Sequence, residues 1–163
     1  MAKNFLGKYH VWAGSESRKQ LETLTDEEFS KNLGPILGSV RAKVEHIILA
    51  IESCFRRITD DPSSVENLVK HIKNMSKEEL LKYWEHKDNE IANGLQGDTG
   101  KTIIIQRMDD SSFVMNLKDF YLQYVLHTVY HRGQLNYCLK KLNIERIEAD
   151  YLYFFDELDI QER

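Results

Sequence analysis

Apolar positions recur along most of this chain at steps of three and four, the spacing of one helix face and not of a strand. From about Ala2 to Leu24, Phe5, Tyr9, Trp12 and Ala13 keep that spacing before the segment turns polar. A second run starts near Pro35 or Gly38 and reaches about Thr59. Its stripe is Val40, Val44, Ile47, Ile51, Cys54 and Ile58, widened by Ile48 and Phe55. A third run carries Leu80, Leu81, Trp84 and Ile91, and a fourth extends from about Leu117 to Leu142. Turn chemistry separates them. Thr25 with Glu28, and Ser76 with Glu79, have the form of capping boxes. The first opens only a short turn of helix, because Gly34-Pro35 follows soon after. Asp60-Asp61-Pro62-Ser63-Ser64 stops the second run, Val65 to Ile72 fits a further short helical piece, and Asn93-Gly94 suits the end of the third.

The period changes once. Lys101 to Gln106 is short and β-branched, and Phe113-Val114-Met115 follows across Met108-Asp109-Asp110-Ser111-Ser112. The spacing predicts a small hairpin, which must lean on the helices beside it because an isolated hairpin is marginal in water. The expected fold class is therefore all-α: a four-helix bundle with a small β-hairpin inserted before the last long helix. No repeat or charge block divides the chain, so residues 1–163 are expected to form one domain.

Composition narrows the function classes more than the fold. The 163 residues carry 22 Lys+Arg against 26 Asp+Glu, a formal net charge of −4. That balance, with no basic aromatic-interleaved stripe, argues against a nucleic-acid partner, which usually requires a basic patch. Two cysteines, Cys54 and Cys138, are too few for a disulfide framework and suit a reducing compartment. No run of about 18 apolar residues appears, so a membrane partner is not expected and the chain reads as cytoplasmic. There is no Ser-His-Asp order, Gly-rich phosphate loop or Cys-x-x-Cys.

Candidate chemistry concentrates in the fourth run. Leu117, Phe120, Tyr124, His127, His131, Leu135, Cys138 and Leu142 fall at alternating steps of three and four, which puts both histidines on the stripe facing the bundle interior. Four residues apart, they are separated by about 40° around a helix and about 6 Å along it, so both imidazoles can converge on one ion. Neutral imidazole is a good donor to Zn, Ni, Cu and Fe(II). A third ligand must come from another helix, and His46 is the best placed. It lies beside the Val44/Ile47/Ile51 stripe with Ser39, Ala42, Ala50 and Ser53 on its side. Small neighbours suit an open cleft and equally suit a plain helix contact, so geometry leaves the third position open.

The other candidates read as structure. His10 is expected to be a partly buried helix histidine. His71 and His86 sit among Lys70, Lys73, Glu85 and Lys87 on solvated faces, and Cys138 behaves as a small core residue. Arg132 points off the ligand stripe and could pair with a tail carboxylate such as Asp150. Gly133 permits close helix approach, and Gln134 could support a ligand.

Tyr130-His131-Arg132-Gly133-Gln134-Leu135, preceded by His127, resembles the His-x-x-x-His-Arg-Gly-Gln signature of the DinB/YfiT-like family. Gly38-Ser39-Val40 leading into His46 resembles that family's second-helix segment with its first metal histidine. Tyr9-His10-Val11-Trp12-Ala13 resembles the Tyr-x-x-Trp-Ala element of its first helix, and Asp150-Tyr151 the Asp-Tyr pair of its tail. The resemblance implies a four-helix bundle, often a homodimer, holding a divalent metal (zinc or nickel) on His46, His127 and His131. It implies a small-molecule partner such as a low-molecular-weight thiol, because relatives include thiol-dependent transferases and isomerases alongside members with no established activity. A non-catalytic metal or small-ligand binder is the alternative, and a DNA-damage association is suggested by the family's name alone. No catalytic residue is assigned beyond the three ligands.

Overall fold

Four long helices carry the fold. They are α1 (Phe5–Glu22), α3 (Val40–Thr59), α5 (Lys77–Gln96) and α6 (Leu117–Lys141), seen in a computed structural model that describes residues 5–59, 65–97, 100–106, 109 and 111–158. α1 lies along α5, α3 sits between α5 and α6, and α6 closes back onto α5 and α1. Short helices α2 (Asp26–Ser30) and α4 (Val65–Lys73) pack on α3. The all-α bundle expected from the spacing is the fold observed. The Asp60–Ser64 turn cluster and the side chains of Cys54 and Ile58 lie outside the described residues.

The core follows the apolar stripes. Val40, Val44, Ile47, Ile48 and Ile51 of α3 meet Leu80, Trp84 and Ile91 of α5, and Val125, Leu135 and Leu139 of α6. Both capping boxes form with both reciprocal bonds, Thr25 with Glu28 and Ser76 with Glu79. On the α3/α5 seam, Lys87 Nζ bonds Glu52 at 2.6 Å and Glu90 at 2.7 Å, while the Tyr83 hydroxyl donates to Glu52. Burial and that carboxylate together push the Tyr83 phenol above its ordinary range.

One helix end departs from the sequence reading. Asn93-Gly94 does not stop α5, which continues to Gln96 and is capped at Gly97. Gly94 is there for space: a Cβ at this position would sit 2.3 Å from the Tyr121 ring of α6. Gly94→Ala should therefore destabilise the protein by about 1–3 kcal/mol through overpacking. That outweighs the roughly 1 kcal/mol by which alanine is the better helix former. A urea midpoint that stays put or rises would show that the Tyr121 ring slides aside freely.

The hairpin stands where the period changes. β1 (Thr102–Gln106) and β2 (Ser112–Asn116) pair antiparallel, with Ile103 opposite Met115 and Ile105 opposite Phe113. Those four face inward onto Leu117, Phe120 and Tyr124 of α6, whereas Ile104 and Val114 point to solvent. Asn116 caps α6 by accepting from Lys118 N, and Leu117 N donates to Lys101 O, so the hairpin is tied to the start of the helix.

The chain then folds back as a tail. Asn143 takes a left-handed conformation after α6, with φ of 58°. Asn136 pins the tail by bonding both the N–H and the carbonyl of Ile147. Asp150 caps a last helix, α7 (Tyr151–Glu157), by accepting from Leu152 N. Phe154 of α7 is buried against Tyr9 and Ala13 of α1, and Trp12 Nε1 donates to Glu157. The Tyr9–Trp12 element of the first helix is thus a clamp for the tail.

Candidate metal centre

Three histidines from two helices come together on the flank of the bundle. His127 and His131 lie one turn apart on α6, and His46 faces them from α3. Ring centroids are 4.4 Å apart for His127–His131, 4.5 Å for His46–His131 and 5.6 Å for His46–His127. One ring nitrogen of each lies within 4.8 Å of the others. Two nitrogens bound to one tetrahedral zinc are about 3.4 Å apart, given bonds of about 2.1 Å, so side-chain adjustment of about an ångström suffices.

Burial grades across the cluster. His131 is buried, His127 half-buried and His46 exposed, so the group opens to solvent on the α3 side. The stripe through the two α6 histidines is not the centre of the buried face, which runs through Tyr121, Val125, Thr128, Arg132, Leu135 and Leu139. The aromatic and histidine spacing is offset from that line by about one residue, which leaves His127 at its edge. Ser39, Ala42, Ala50 and Ser53, the small side chains beside His46, are all at least partly exposed. Of the two readings of that small side, the open flank is the one observed.

The chemistry of the donor set fits a cation. His127 Nε2 is buried and has no hydrogen-bond partner among the described residues, an arrangement that costs free energy unless something else fills the position. His131 Nδ1 lies 2.9 Å from Gln134 Oε1. The amide oxygen can only accept, so Nδ1 carries the proton and the Nε2 lone pair is left free. Burial, and then the positive charge His46 would carry, push His127 below the ordinary histidine range. Burial is also the main cause at His131; the Gln134 contact opposes it, while His127, His46 and Lys43 add to it. Both rings are held in the neutral form that binds metals.

The remaining sequence candidates separate clearly. His71 and His86 are exposed on helix surfaces, and Cys138 is fully buried, its thiol pushed up by burial. Arg132 is buried but does not pair with Asp150: its Nη2 donates to the Tyr9 hydroxyl at 3.2 Å, while Asp150 accepts from Leu152 N as the α7 cap. Gly133 brings no helix close, since a Cβ there would meet nothing within 4 Å. His10 is fully buried rather than partly so, with Nε2 3.0 Å from Asp88 Oδ1.

That last contact belongs to a cluster the sequence reading passed over. Asp88, also fully buried, accepts from Arg18 Nη1 at 2.5 Å and from Trp84 Nε1 at 3.0 Å. The signal was present: Trp84, Asp88, Ile91 and Leu95 share one stripe, so a carboxylate stands on the apolar face of α5.

Among the described residues no helix is long and apolar enough to cross a membrane. A family model described as the DinB family matches residues 1–162 of the chain. No curated protein matches it.

Proposed function

The chain belongs to the DinB family, and from that premise we propose that His46, His127 and His131 hold one divalent metal ion, zinc or nickel. The observation that carries this reading is the convergence of three imidazoles, one ring nitrogen of each within 4.8 Å of the others, in a cluster where His127 Nε2 is buried with no partner among the described residues. Three protein ligands leave a coordination position for water or a substrate. When bound, the metal supplies Lewis acidity, able to lower the pKa of a coordinated thiol or water.

The protein's own residues do the rest. His131 is oriented by Gln134, and Tyr130 packs edge-on against it with ring centroids 5.1 Å apart. Tyr124 flanks His127 at 6.3 Å, giving the α6 side of the site an aromatic wall. The opposite side, around His46 and its small neighbours, is open for a small molecule to enter. The activity we assign is S-transfer or isomerisation with a low-molecular-weight thiol as co-substrate, within one domain spanning residues 1–163. The alternative, a metal or ligand binder without turnover, differs only in the absence of turnover.

Elemental analysis of the purified protein should find about one zinc or nickel per chain. Loaded protein given a panel of thiols and electrophiles should consume thiol, and chelator-stripped protein should not. Metal without turnover on any pair selects the non-catalytic binder, and absence of metal after loading rejects the site.

We also propose that two copies associate. Leu126, Val129, Tyr130 and Tyr137 are exposed apolar side chains of α6, Tyr151 of α7 shares a cleft with Val129, and Leu152 of α7 is exposed as well. Sedimentation at micromolar concentration should show a dimer, and a monomer throughout would reject it.

A further inference from the structure

A second feature of α6 faces away from the histidines. Arg132 follows His131 in sequence, so its side chain leaves the helix about 100° further round, toward α1 and the tail. It is only 5% exposed. Its Nη2 bonds the Tyr9 hydroxyl, its guanidinium carbon lies 5.5 Å from the centroid of the Tyr9 ring, and its Nη1 is buried with no acceptor among the described residues. A buried guanidinium normally has a carboxylate, and leaving one of its donors unmade is costly.

Arg132 lines a cleft of about 560 Å³ between α6 and the tail, with Tyr9, Val129, Asn136, Ile147 and Tyr153 among its walls. Gly133 also lines it, and a Cβ there would meet nothing within 4 Å, so the wall is hollow at that point. The two carboxylates lining the cleft are both committed. Glu148 accepts from Arg146 Nε at 2.5 Å, and Asp150 accepts from Leu152 N at 3.0 Å as the cap of α7. Arg132 and Arg146 balance Glu148 and Asp150 in formal charge across the cleft, so what sets Arg132 apart is its unmet Nη1 donor and not an excess of positive charge.

We propose that this cleft binds a small monocarboxylate with an apolar or aromatic body, its carboxylate held by the Arg132 guanidinium. The planar fork of arginine matches a carboxylate, and Tyr9, Val129, Ile147 and Tyr153 give one part of an otherwise polar lining an apolar wall for the ligand's body. A phosphate dianion is disfavoured, because Glu148 and Asp150 line the same space. Nη1 is sealed from water as well as from acceptors, so the ligand engages a guanidinium turned outward from Tyr9. The bond it gives up is already at the long end of the normal range, 3.2 Å. The site is separate from the histidine cluster and does not depend on a metal there.

Calorimetric titration of the full chain with benzoate, and separately with inorganic phosphate, tests this before and after treatment with a chelator. Benzoate should bind one site in both states, and phosphate should bind much more weakly or not at all. Arg132→Gln should weaken benzoate by roughly tenfold or more, the loss of a charge-assisted pair. Gly133→Leu, whose Cβ has open space at the cleft wall, should weaken binding strongly by taking up ligand volume while circular dichroism shows an intact fold. It also keeps the test decisive if Arg132→Gln fails to fold. Absence of benzoate binding to the wild-type chain, or unaltered binding in folded Arg132→Gln or Gly133→Leu protein, overturns the proposal. So does phosphate binding as tightly as benzoate. Benzoate binding that disappears with the metal would move the carboxylate to the histidines and overturn it equally.

Discussion

Asp88→Ala should cost about 3–5 kcal/mol of folding stability, the loss expected when one partner of a buried ion pair is removed. A domain has roughly 5–15 kcal/mol in total, so this change alone brings the protein close to unfolding. Two groups depend on that carboxylate and a third lies against it. Arg18, 6% exposed, would keep a buried charge with no counterion; Trp84 Nε1 would lose its acceptor; His10 Nε2, 3.0 Å from the carboxylate without a hydrogen bond to it, would face a void. The fold makes room for Asp88 at one further position. A Cβ on Gly14 would fall 2.0 Å from Asp88 Oδ2, so Gly14→Ala should also destabilise, by displacing the carboxylate rather than deleting it. Asp88→Asn keeps an oxygen for Trp84 but leaves Arg18 unpaired, and should fall between Asp88→Ala and wild type. The discriminating measurement is a double-mutant cycle. Arg18→Met combined with Asp88→Asn removes both charges together, and its cost should be well below the sum of the single costs. Urea melts showing additive losses, or Asp88→Ala within about 1 kcal/mol of wild type, would mean that the pair carries little of the stability.

This cluster shows where sequence reasoning runs out. The four long helices were legible because each buries a continuous apolar stripe. The capping boxes were legible because Thr25 with Glu28 and Ser76 with Glu79 satisfy each other locally. The hairpin was legible because a short β-branched run, Lys101 to Gln106, is followed across Met108–Ser112 by Phe113-Val114-Met115. Contacts far apart in sequence were not. Gly94 looks like a helix stop until the Tyr121 ring is seen against it, and Gly133 looks like a packing glycine until nothing is found near it. Arg132 and Asp150 have opposite charges and similar placement, yet each finds another partner, the Tyr9 hydroxyl for one and the Leu152 N–H for the other. α7 is seven residues long, with no periodic run to announce it, and it is held by tertiary contacts with Tyr9 and Trp12. For the histidines, the four-residue spacing on α6 was readable directly. His46 could not be resolved from its own helix, because its partners lie about eighty residues away; the resemblance named it, and the geometry places it beside the other two.

Replacing either α6 histidine should remove the metal. His131→Ala deletes the buried ligand and His127→Ala deletes the nitrogen with no other partner, so metal content should fall from about one per chain to near zero in each. His71→Ala and His86→Ala, both at exposed positions, should leave it unchanged. The pH response follows from the surroundings of the rings. Burial, and then the charge of neighbouring groups (His46 at His127; His127, His46 and Lys43 at His131), holds the two rings below the ordinary histidine range, so they stay neutral at pH values where an exposed imidazole has already taken up its proton. Two of the three ligands should therefore stay unprotonated as pH falls through about 6.5, and metal binding should collapse only once they too take up protons. The same shift has a consequence for the metal-free protein. Between the depressed folded-state values and the unfolded value near 6.5, the unfolded chain binds more protons than the folded one, so stability rises with pH across that window. Metal-free wild type should accordingly lose stability as pH is lowered from about 6.5, and the combined His127→Ala and His131→Ala variant should lose less. Chemical melts at matched pH values read that difference without any metal or substrate present. Equal acid sensitivity in the two proteins would mean that the histidines are not held neutral by the fold. Full metal content in His131→Ala would show that the cluster is not the binding site.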